Sequence, residues 1–167
     1  MSNKFEILMH QLDMPLEMRN SEAFLNAEIE KVLVHKVSRV WEFHFSFANI
    51  LPIEIFRELQ KRLAQEFSKT GNQAVFEIHC QAPQLSDELL QAYYQLAFEE
   101  GPCASHGFKS LYQDLQVHLD GDKLLIEGAS TIDTEHFRKN HLPNLSQQLV
   151  KYGFPQLTCQ VQHSDEL

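Results

Sequence analysis

The sequence predicts an α+β chain of two small subdomains, each built on a strand-strand-helix-strand core. Residues 40–47 read V-W-E-F-H-F-S-F. That alternation places Trp41, Phe43, Phe45 and Phe47 on one face of an extended strand and Val40, Glu42, His44 and Ser46 on the other, because successive strand side chains point to opposite faces. Next comes a segment with Phe56, Leu59, Leu63 and Phe67 at helical spacing, an apolar stripe that matches the aromatic row. The same order of elements then returns: residues 29–80 and 116–161 each read strand, strand, helix, strand, an echo of order and not of sequence identity.

Taken in order, Phe5, Leu8, Met9 and Leu12 recur at helical spacing and predict a short amphipathic helix that Pro15 interrupts. Ile29 to Val34 is β-branched in character and, across the polar turn His35 to Arg39, pairs with the Val40–Phe47 strand as an antiparallel hairpin. Pro52 stands where a helix start tolerates it, and Gly71 ends that helix. Ala74 to Cys80 returns as a strand. After Ala82-Pro83, Ser86 with Asp87 and Glu88 opens a helix striped by Leu89, Tyr93, Leu96 and Ala97, which Gly101-Pro102 closes. A second short helix is predicted over Gly107 to Asp114. Gln116 to Leu119 and Lys123 to Glu127 flank Asp120-Gly121-Asp122, a compact hairpin signal. A helical stretch follows from about Thr134 to Tyr152. Pro143 would kink it or split it in two, since an interior proline costs about 3 kcal/mol. Leu157 to Val161 closes as a strand. The boundary between subdomains falls at residues 82/83, giving 1–82 and 83–167.

Composition narrows the function. The 14 basic and 23 acidic residues leave a net charge of −9, which repels a phosphate backbone at long range. No run approaches the roughly 18 apolar residues of a membrane span, and Met1 to His10 lacks the order of a secretory signal. Ser164-Asp165-Glu166-Leu167 looks like an ER-retention tail, but with no entry signal the expected location is the cytoplasm. Cys80, Cys103 and Cys159 form an odd set with no C-x-x-C pair, as expected of reduced thiols.

Four segments read together carry a resemblance: M-S-N-K-F-E-I-L-M-H-Q-L-D-M-P-L-E-M at the start, V-S-R-V-W-E-F-H-F-S-F, L-L-Q-A-Y-Y-Q-L-A-F-E-E, and H-F-R-K-N-H-L-P-N-L. The chain resembles the N-terminal region of PolC, the replicative DNA polymerase III alpha subunit of low-GC Gram-positive bacteria, and its streptococcal members most closely. The resemblance spans essentially the whole chain and includes no catalytic motif. It implies an N-terminal piece of a much longer DNA-directed DNA polymerase. That parent would carry a 3'-5' proofreading exonuclease and use divalent metal ions such as Mg²⁺, with no cofactor in this segment. It also likens residues 1–82 to the polymerase-contacting domain of the clamp-loader tau subunit, and residues 83–167 to a KH-like fold. The partners implied are replisome proteins, tau among them, and the rest of the polymerase chain.

Site candidates are few. Polymerase or exonuclease chemistry needs carboxylates converging on two metal ions about 4 Å apart, whereas Glu99-Glu100 end a helix and Asp120 and Asp122 belong to a turn. None of the nine histidines forms H-x-H or H-E-x-x-H, and His136 and His141, five apart, do not share a helical face. No G-x-S-x-G elbow and no glycine-rich phosphate loop is present. Phe5, Leu8, Met9 and Leu12, with Leu16, offer the spacing of helix-in-groove anchors, although docking of the helix onto its own domain is the commoner fate. Tyr93 and Tyr94 project differently around one helix, so one can be an exposed interface anchor. For weak DNA contact the candidates are Arg138, Lys139 and Asn140; the G-x-x-G loop of KH domains is absent. The function expected is a non-catalytic protein-interaction module, with a KH-like nucleic-acid-binding module as the alternative.

Overall fold

The computed structural model describes residues 3–100, 116–128, 139 and 141–163. The chain divides into two compact units: Met1–Gln84 with Lys151–Gly153, and Leu85–Val150 with Phe154–Leu167. Both are α+β.

In the first unit, helix α1 (Asn3–Gln11) and a single turn α2 (Leu16–Arg19) precede strand β1 (Glu28–His35), strand β2 (Val40–Phe47), helix α3 (Ile53–Ser68) and strand β3 (Gln73–Cys80). The sheet order is β1-β2-β3. β2 pairs antiparallel with β1 and parallel with β3, because a hairpin joins the first pair whereas α3 is the crossover between the second. The hairpin turn closes at the His35–Val40 pair. Arg39 takes a left-handed φ of 59° there, and its guanidinium donates to the Thr70 carbonyl at 2.9 Å, tying the turn to the end of α3.

The aromatic row is core. Phe43, Phe45 and Phe47 are buried, and Trp41 at the row's outer end is half-buried against Phe67 with ring centroids 5.1 Å apart. Phe56 of α3 meets Phe76 of β3 at 5.1 Å. Phe5 of α1 meets Phe45 and Phe47 edge-on at 5.6 and 5.5 Å. Phe76 is paired with Phe43 of the aromatic row, so both helices cover the same face of the sheet. Pro52 sits one position earlier than a first-turn proline, as the cap of α3. Its carbonyl accepts from the amides of Ile55 and Phe56.

The second unit holds helix α4 (Asp87–Glu99), strands β4 (Gln116–Asp120) and β5 (Lys123–Gly128), helix α5 (Leu142–Lys151) and strand β6 (Thr158–His163). Its sheet order is β4-β5-β6, antiparallel then parallel, so the topology of the first unit recurs. Ser86 caps α4 by accepting from the Leu89 amide at 3.1 Å, and Gly121 turns the β4–β5 hairpin at φ 63°. His141 is a turn residue and α5 begins at Leu142, which leaves Pro143 in a first turn where its missing N–H breaks no ladder bond. The predicted helix over 107–114 lies outside the described residues. Among the described residues no helix is long and apolar enough to cross a membrane.

Candidate interaction surface

Of the helix-in-groove residues, all but Leu16 lie in the interior. Phe5, Leu8, Met9 and Leu12 are all buried, and Phe5 also packs edge-on against Phe24 at 5.2 Å. This corrects their reading as partner anchors: the apolar stripe of α1 completes the core over β2 and is already occupied. Ile7, 60% exposed, and Leu16, 62% exposed, are what this end offers to solvent. Tyr93 is likewise buried, edge-on to Phe154 at 5.6 Å. Tyr94 is half-buried against Phe98, so the two tyrosines do project differently. Lys139 is exposed, while Arg138 and Asn140 lie outside the described residues.

What the structure does assemble is the face of the first sheet opposite α1 and α3. Opposite the aromatic row, the register aligns His44 with Lys31 and Glu77, and Glu42 with Leu33 and Val75. His44 Nε2 lies 2.6 Å from a Glu42 oxygen and its Nδ1 lies 3.7 Å from Glu77. His35 Nε2 stands 3.9 Å from the other Glu42 oxygen, and His79 Nδ1 is 3.2 Å from Glu30. Each imidazole on this face thus neighbours a carboxylate. Alternation within β2 had already put Glu42 and His44 together, but Glu77 and His79 joined them only through the parallel pairing of β3. The alternation of Val75, Glu77 and His79 was the signal that could have found them.

Among the described residues no group of three or more His, Cys, Asp or Glu side chains is arranged to hold a metal ion. Cys80 and Cys159 have their thiols raised by burial, Cys80 to about 11, so neither is a ready nucleophile. A cleft of about 520 Å³ in the second unit is lined by residues of α5, of β6 and of the segment just before β6, including Pro143, Ser146, Leu157 and Cys159.

The beginning of β1 is guarded. A bulge between Ile29 and Lys31 accommodates Glu30 as the extra residue. Beyond it Val32, Leu33 and Val34 are 36, 39 and 45% exposed on a strand at the sheet edge.

Two family models match the chain. One, described as DNA polymerase III polC-type N-terminus I, matches residues 4–78, and the other, polC-type N-terminus II, matches residues 92–166. The chain belongs to the N-terminal region of the PolC-type DNA polymerase III family. It is 98% identical over 167 residues to DNA polymerase III PolC-type of Streptococcus sanguinis (strain SK36). It is 64% identical to the protein of that name from Streptococcus pneumoniae (strain D39) and 48% identical to that from Streptococcus pyogenes (strain Manfredo), again over 167 residues. All of this PolC-like chain is covered in each case, but it spans only 11% of the length of these relatives. No solved structure matches it.

Proposed function

We propose that this segment is a non-catalytic protein-interaction module of a PolC-type replicative polymerase, acting in bacterial chromosomal DNA replication. The observation that carries the reading is the pair of N-terminal family matches, one to each half of the chain. The parent enzyme is then a DNA-directed DNA polymerase with a 3'-5' exonuclease, whose divalent-metal chemistry belongs to other parts of that chain. Replisome proteins are the partner class, the clamp-loader tau subunit foremost, and the bacterial cytoplasm is the implied location. The division at 82/83 would separate a tau-like first subdomain from a KH-like second one. Among the described residues, the second unit's order of helix, two strands, helix and strand supports that likeness.

Immobilised chain challenged with purified tau, helicase loader and sliding clamp tests the proposal. Saturable capture of at least one of them is expected, and capture of none would sink it. A nucleic-acid role draws support from the exposed Lys139, beside Arg138 in sequence. It predicts affinity for primer-template or single-stranded DNA that falls steeply with salt and with alanine at both positions. Salt-insensitive or undetectable binding would remove it.

A further inference from the structure

We infer that the edge of β1, which pairs with no further strand among the described residues, is a strand-addition site for an extended partner segment whose side chains alternate apolar and basic. This rests on the interaction-module reading and names its surface. An edge strand presents a row of unpaired amide and carbonyl groups, and native proteins blunt it with charges, bulges or a cover. On β1 the devices are confined to the beginning: the Glu30 bulge and Lys31. From Val32 to Val34 the strand continues in regular register with β2, its strand partner in the sheet order, and its three consecutive apolar side chains are exposed. A segment added there gains main-chain hydrogen bonds from the edge and specificity from alternate side chains.

Pleating sends those side chains to two different environments. On the helix-covered face they would lie beside Val32 and Val34, the latter paired with Trp41. On the open face they would lie beside Leu33, which pairs with Glu42. Across the three strands of this sheet the ionisable Lys, Arg, Asp and Glu side chains are Glu28, Glu30, Glu42 and Glu77 against the single Lys31. An arriving basic side chain on the open face therefore meets net negative charge, and an acidic one is repelled. The chemistry is that of an apolar–basic β-segment.

The test uses the 167-residue chain and a synthetic nine-residue peptide with blocked ends, alternating valine and lysine; a control replaces every lysine with glutamate. Trp41, the single tryptophan, reports binding by its emission, and NMR-detected amide exchange maps the site. Saturable binding of the lysine peptide is expected, with exchange slowed at least tenfold at the alternate amides of Lys31–His35 that point away from β2. The glutamate peptide should bind at least tenfold more weakly. Leu33→Lys and Val34→Lys, both at exposed positions, should each weaken the lysine peptide at least tenfold while leaving the thermal midpoint within a few degrees. Equal affinity for both peptides, no binding, protection away from β1, or protection of β1 that grows with protein concentration in the absence of peptide, as a second copy would give, overturns the inference. Purified tau captured equally by the unsubstituted 167-residue chain and by Leu33→Lys would also overturn it while leaving the interaction-module reading intact. Failure of the replisome proteins to bind the unsubstituted 167-residue chain bears on that broader reading, and the peptide arm still decides the surface.

Discussion

Truncating Phe5 separates a core helix from a helix kept for a partner. Phe5 is fully buried and meets Phe24, Phe45 and Phe47 edge-on at 5.2 to 5.6 Å. A buried phenylalanine removes roughly 150 Å² or more from water, which at about 25 cal/mol per Å² is about 4 kcal/mol. Alanine retains part of that, and the cavity it leaves adds a further cost, so Phe5→Ala should lose about 3–5 kcal/mol. Urea unfolding followed by Trp41 emission reads the first unit selectively, because the chain's one tryptophan lies in β2. With a slope of about 1.5 kcal/mol per M for a small domain, the midpoint should fall by about 2–3 M. The control is Ile7→Ala on the same helix, where the side chain is 60% exposed and the change should stay within about 0.5 kcal/mol. A midpoint shift under about 0.5 M for Phe5→Ala would mean that α1 docks loosely, and its stripe would again be available to another protein.

Other expectations follow from single contacts. Arg62 Nε donates to a Glu58 oxygen at 2.5 Å, a hydrogen bond that holds the Glu58 carboxyl below its ordinary 4.5, and the same guanidinium also donates to the Asp13 carbonyl. Being depressed in the folded chain, the group adds stability that is fully present above its unfolded value and is lost as pH falls through its folded value. An NMR titration should place Glu58 below 4.5 and Arg62→Met should bring it back up; an unchanged midpoint in the variant would discount the pair. Cys80, raised to about 11 by burial, should resist alkylation at pH 8 in the folded chain and react once urea unfolds it. Rapid native labelling at Cys80, located by peptide mass, would contradict its placement. A Cβ at Gly153 would stand 2.7 Å from Cys80 Sγ, at a backbone φ of 111°, so Gly153→Ala should cost about 2 kcal/mol or more through overpacking and backbone strain. Thermal unfolding that leaves the Trp41 transition unmoved would refute that packing.

Much of the fold was legible because local patterns and global packing agree. The alternation in β2, the stripe of α3 and the serine that caps α4 each specify an element from its own residues, and the recurrence of order anticipated two ββαβ cores. The surface was less legible. The stripe of α1 reads the same whether it fits a partner's groove or its own sheet. Spacing defines an apolar face, but what covers the face depends on residues distant in sequence, here Phe45 and Phe47.

The sequence by itself determined the order of strands and helices among the described residues, that the aromatic row of β2 needs a cover, and that the chain is PolC-like. These rest on periodicity and on wording, both of which are local. Only the tertiary structure decided that α1 and α3 share one face of the first sheet, that β3 runs parallel beside β2 and brings Glu77 and His79 to His44 and Glu30, and that β1 is left at the edge with Val32, Leu33 and Val34 exposed. Strand order and sheet coverage are set by contacts between segments tens of residues apart, and no periodicity within one segment encodes them.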